Sequence, residues 1–198
     1  MTTINPQKYD RPTRLLHAAL AIGVVLQLSL STVMTVPAGR GLGVRDWHRS
    51  AFEIHAEVGI FVVAICALHW LWVCLPRSHP ACSYLFPWWW RAGRTTIHQE
   101  LGAITHWHIP SPKNVSALVG TVHGLGLAAV TGSSICGLIN YFGYFLGAPI
   151  PPLALHWVGL SHIAFGYLIW AFVMGHVGMA LGHWCAGTLA GIGQSQPR

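Results

Sequence analysis

The chain has 198 residues, of which 53% are apolar and only 8% charged, against about 25% charged in an ordinary soluble domain. Eleven Lys and Arg stand against five Asp and Glu, for a formal net charge of +6. So little charge excludes a dispersed soluble domain, and so much apolar surface excludes disorder. An integral membrane protein remains, and its 13 histidines are the residues to follow.

The first ten residues, Met1 to Asp10, are polar, and the apolar run that follows is too long for a signal peptide, whose apolar core is about 7–15 residues. It is expected to stay in the membrane. Leu15 to Ala38 is free of charge and predicts a first span over 13–36; Val58 to Pro76 is also uncharged and predicts a second over 51–75. The connection 76–114, with Trp88 to Trp90 and His98, His106 and His108, reads as a loop on the membrane surface. The 84 residues from Asn114 through Pro197 then carry no Asp, Glu, Lys or Arg. One crossing needs about 20 residues, so this stretch crosses more than once. Gly147-Ala148-Pro149-Ile150-Pro151-Pro152 divides it into spans over 115–146 and 155–184.

The expected fold is an all-α integral membrane protein, a four-transmembrane-helix bundle forming a single domain over 1–198. Lys8, Arg11, Arg14, Arg77, Arg91, Arg94, Lys113 and Arg198 fall on one side of these spans, and Arg40, Arg45 and Arg49 on the other. By the positive-inside rule both termini are expected to be cytoplasmic, in a bacterial inner membrane. Cys66, Cys74, Cys82, Cys136 and Cys185 show no C-x-x-C-H and no metal-binding spacing, and read as small apolar side chains. Trp70 and Trp72 read as interfacial anchors. Gly120, Gly124, Gly132 and Gly137 give the third span a small-residue face, for close helix packing or a haem edge. Glu53 and Glu57 are placed in the first turns of the second span, where a carboxylate suits a helix N-terminus; a proton path to a quinone is the sharper alternative.

The spans hold His17, His55, His69, His123, His162 and His176 with almost no acidic partners. A titratable side chain in hydrocarbon defaults to function, and a proton relay would interleave acids. His162 and His176 are 14 residues apart, so they share a helix face about 21 Å apart along the axis. That spacing places one in each half of a core about 30 Å thick. It suits axial ligation of two stacked haems, in which two imidazoles fill the open iron positions. By depth His17 pairs with His176, and His55 with His162. His69, also 14 residues after His55, competes with His17 for His176, and so does His123.

The stretch Tyr9-Asp10-Arg11-Pro12-Thr13-Arg14-Leu15-Leu16-His17, then His55-Ala56-Glu57-Val58-Gly59, then His162 through Gly175-His176 and Gly182-His183-Trp184 resembles the bacterial cytochrome b561 family. That family includes the b-type cytochrome subunit of nickel–iron hydrogenases. The resemblance implies two b haems, ligated at His17, His55, His162 and His176. It departs at His69, where relatives tend to carry arginine, leaving that residue an alternative ligand or a propionate contact. Arg11, Arg14 and Lys113 sit where cytoplasmic propionates would emerge, and Arg45 and Arg49 where periplasmic ones would; for the cytoplasmic set ordinary positive-inside flanks are the alternative.

The implied function is transmembrane electron transfer with a quinone as redox partner. The four-span length resembles the stand-alone members and implies superoxide oxidation with ubiquinone reduction. The outer Arg40, Arg45, His48 and Arg49 suit a small anion or a periplasmic redox protein as donor. The alternatives are a haem-carrying membrane anchor for a hydrogenase or other periplasmic oxidoreductase, and a histidine-rich metal transporter. Lipid is the expected surrounding, and nucleic acid is no expected partner.

Overall fold

The computed structural model describes residues 11–35, 46–75, 83–105 and 116–193. All regular structure among them is helical: α1 (Arg11–Val33), α2 (Asp46–Cys74), α3 (Arg91–Thr105), α4 (Ala117–Tyr144) and α5 (Pro152–Gly193). A short 3-10 helix, Pro87–Trp89, leads into α3. Four of the helices, α1, α2, α4 and α5, are long and apolar enough to cross a membrane. Their outward side chains match that solvent: Leu15, Ile22, Phe61 and Tyr167 are each at least 70% exposed.

Two boundaries differ from the charge-based reading. Helix α2 starts at Asp46, ahead of position 51, so Glu53 lies in its third turn rather than its first. There it accepts a bond from Arg49 Nε at 3.0 Å, an exposed i,i+4 ion pair. The expected surface loop is also partly helical. In α3, Ile97 and Leu101 form an apolar stripe on an otherwise polar sequence, which is the pattern of a helix lying at an interface.

The spans pack in a chain, α1 on α2, α2 on α4 and α4 on α5. Helix α5 makes no comparable backbone approach to α1 or α2. Glycines on α4 explain its closeness to α5. A Cβ at Gly126 would lie 2.6 Å from the Phe172 ring, and one at Gly132 2.5 Å from Phe165. Gly120 and Gly124 serve a different neighbour. A Cβ there would fall 2.0 Å from Tyr84 O and 1.9 Å from Leu85 O, so this face receives the backbone ahead of the 3-10 helix, not a second span.

Polar ties fix the register. Trp70 turns inward, donating to Thr131 Oγ1 of α4 at 2.9 Å and stacking on Phe86, so it joins helices rather than anchoring at the interface. Trp72 Nε1 donates to Thr13 Oγ1 of α1 at 3.1 Å. The start of α4 is capped by Ser116 and by Glu100 of α3. The Glu100 carboxylate accepts from Ser116 Oγ at 2.8 Å, Leu118 N at 2.7 Å and Ala117 N at 3.2 Å. A carboxylate at a helix N-terminus satisfies orphan N–H groups and meets the positive end of the dipole. Between α4 and α5 the chain reverses at Gly147, whose φ of 63° lies in the left-handed region that glycine adopts at little cost.

The buried core comprises Leu20 and Leu28 of α1, Val62 and Cys66 of α2, Leu127, Ala129 and Val130 of α4, and Ile169 of α5. Ile169 is seven residues from both His162 and His176. Seven residues are nearly two turns, so it lies on the face they share, midway between them.

Candidate functional site

The spacing of apolar and small residues on α5 leaves two imidazoles on one face, and the other helices bring a partner to each. His55, three turns into α2, faces His162 near the start of α5, with ring centroids 6.2 Å apart and planes at 87°. His17, in the second turn of α1, faces His176 in the second half of α5, at 6.4 Å and 67°. Depth pairs the same rings, with His69 and His123 as competitors of His17 for His176.

His162 is oriented from α4. Its Nδ1 lies 2.9 Å from Ser133 O and 3.3 Å from Ser133 Oγ. Donation to the carbonyl places the proton on Nδ1 and leaves the Nε2 lone pair free, which is the way ligating histidines are held. Gly137 lets α4 approach that ring: a Cβ there would lie 3.2 Å from His162 Cε1. One turn further along α5, Gly166 faces open space, with nothing within 4 Å of an ideal Cβ. His55 is tied down through its backbone, where its carbonyl accepts from Gln27 Nε2 of α1 at 2.9 Å. His55 Nδ1 and Gln27 Oε1 are buried without a partner.

At the other pair, Phe172 stacks on the His176 ring at 5.4 Å and 19°. His123 of α4 meets the same ring edge-on at 5.0 Å, while its Nδ1 donates to Val119 O of its own helix at 2.7 Å. His69 is on the His17 side, within electrostatic range of it, and its buried Nδ1 has no partner. The ring neighbours of His176 are His17, His123 and Phe172, and His69 is not among them.

The arginines are less convergent. Arg14 precedes His17 by three residues and so shares its helix face. Arg49 is exposed and engaged with Glu53. Arg45, Arg40, Lys113, His106 and His108 lie outside the described residues. Residues not singled out from sequence are Gln27 and Gly166. An amide at mid-span depth was the available signal for Gln27; Gly166 showed only as a glycine one turn past a histidine.

The arrangement fits a planar cofactor held between imidazoles. Two metal–nitrogen bonds of about 2 Å, with the nitrogen-to-centroid distances added, put the ring centroids about 6 Å apart. Both pairs have that separation. Rings on one axis are free to rotate about it, so both interplanar angles are admissible. Among the described residues no three His, Cys, Asp or Glu side chains converge on one metal position; His55 and His162 stand as a pair, while His176 has both His17 and His123 against its ring, of which His17 has the separation that two ligands of one haem iron need. Nothing lies within 4 Å of a Cβ at Gly166, one turn from His162, which leaves room for such a group beside that ring.

No curated protein and no solved structure matches the chain. The sequence model of prokaryotic cytochrome b561, however, matches residues 8–192. That range takes in all four spans and all six intramembrane histidines, and the chain belongs to this family of transmembrane, electron-carrying b-type cytochromes.

Proposed function

We propose that the protein carries two b haems, one between His17 and His176 and one between His55 and His162, and passes electrons between the periplasm and the quinone pool of the bacterial inner membrane. The observation that carries this reading is the pair of 6.2 and 6.4 Å imidazole separations, set 14 residues apart on α5. Haem iron, when bound, supplies the one-electron chemistry. The chain's own residues do the rest. Ser133 holds the His162 tautomer, Gln27 holds the His55 backbone, and Phe172 fixes the plane of His176. With both members of each pair held ready for the iron, a bound haem would have no open position for substrate, which favours electron transfer over chemistry at iron. Ile169 and the surrounding core keep water out between the sites, and the near absence of charge at that depth keeps the medium apolar.

Within this reading the donor is superoxide and the acceptor ubiquinone. Each superoxide gives up one electron and leaves as dioxygen, and two electrons with two protons turn the quinone into quinol. The excess of arginine at the α1–α2 end, Arg40 and Arg45 together with the Glu53-paired Arg49, favours a small anion there. The experiment is a reduced-minus-oxidised visible spectrum with a haem-to-protein ratio, followed by superoxide-dependent quinone reduction by the purified protein. Two b haems per chain and quinol formation above background are expected. One haem or none would overturn the paired-ligand assignment; two haems without turnover would overturn the superoxide reading and favour the membrane-anchor role.

A further inference from the structure

Away from the histidine pairs, a cleft of about 380 Å³ opens between α3 and α4, lined by Trp88, Arg94, Ile97, His98, Thr121 and Leu125. That volume is within the range of small-molecule sites. Its chemistry is divided. Trp88, Ile97 and Leu125 make an apolar wall, and Leu125 is 57% exposed. Arg94 and His98, four residues apart and so on one face of α3, give the cleft a polar edge with one fixed cation, the Arg94 guanidinium. The Arg94 guanidinium is held in place by donation from Nη1 to Trp88 O at 2.8 Å. No acidic residue lines the cleft. The one acid on α3, Glu100, has its carboxylate engaged at the start of α4, so the positive edge is not neutralised from its own helix.

Depth identifies the occupant. Trp89 and Trp90, beside the cleft, are 63% and 47% exposed, and exposed tryptophans gather at the headgroup level of a bilayer. Amphipathic α3 belongs at the same level. At that depth an apolar wall meets acyl chains, and a fixed guanidinium beside an imidazole meets phosphate. We propose that this cleft binds one anionic phospholipid, its phosphate between Arg94 and His98 and its upper chain along Trp88, Ile97 and Leu125. The proposal does not depend on the haem assignment.

The test is retention of lipid by the full chain. Protein in detergent is equilibrated with mixed micelles of equal phosphatidylglycerol and phosphatidylcholine, repurified, and its bound lipid measured by native mass spectrometry. About one retained phosphatidylglycerol per chain is expected, enriched about fivefold over phosphatidylcholine, the preference one arginine gives at an anionic surface. Arg94→Gln brings the ratio to about one, whereas His98→Ala, which leaves the Arg94–Trp88 tie intact, lowers it less. Arg91→Gln, on the same helix but outside the cleft, leaves the enrichment unchanged. Equal loss in all three variants would reduce the effect to general surface charge and overturn the site. No enrichment in the unaltered chain would overturn it as well, as would displacement of the lipid by millimolar inorganic phosphate or retention of a quinone in its place.

Discussion

The consequences of single residues are sharpest around His162. Its Nδ1 is committed to Ser133 O, so only Nε2 is left to ligate. His162→Ala is expected to halve the haem content from two to about one, read by the haem-to-protein ratio, with the signal of the remaining site unchanged. Loss of both haems would mean that the sites do not assemble independently. Gly137→Val is a gentler probe. A Cβ there already sits 3.2 Å from His162 Cε1, so a branched side chain displaces that imidazole and leaves the His17/His176 pair alone. Electron paramagnetic resonance is expected to show one of two low-spin signals shifted. A shift in both, or in neither, would contradict the separation of the sites. The four residues that pair were legible because each is a polar group at membrane depth, where lipid makes any such group conspicuous. His123 was legible for the same reason, and its depth placed it as a competitor for His176, but the edge-on meeting of the two rings was not legible, because it depends on the rotation of α4, which charge and length do not set.

Elements were read best where lipid dictates their length and worst where a neighbour does. The charge-free runs mark α1, α2, α4 and α5, since an ionised side chain is costly in hydrocarbon. The partner of Gly120 and Gly124 was not legible. The motif says only that something approaches closely, and that something is the backbone of Tyr84 and Leu85. The role of Glu100 was hidden as well, because its hydrogen-bond partners begin 16 residues on, across residues that give no periodic signal. The cap now makes a prediction. Glu100→Ala removes three hydrogen bonds from the start of α4 and is expected to cost about 1–2 kcal/mol, lowering the Tm by about 2–8 °C. Circular dichroism in detergent micelles measures it, and an unchanged Tm would show that Ser116 alone secures the cap. Proteolysis between α3 and α4 is expected to quicken in the same variant.

For the whole molecule, the excess of Lys and Arg outside the spans sets an orientation that can be checked directly. A reporter fused after Arg198 is expected to read as cytoplasmic, and a periplasmic reading would invert the donor and acceptor sides together. The bundle is also held unequally. Packing joins α1 to α2, α2 to α4 and α4 to α5, and the imidazole pairs set α5 against α1 at His17/His176 and against α2 at His55/His162. The 14-residue interval on α5 bears on the lipid around it. A bilayer that thickens or thins is accommodated mainly by tilting its helices. Tilt changes how deep His162 and His176 lie but not how far apart they are, because one stretch of continuous hydrogen-bonded backbone separates them. The helix is therefore a ruler: it holds the step between His162 and His176 constant from one membrane composition to another and leaves only the outermost approaches to respond to the lipid.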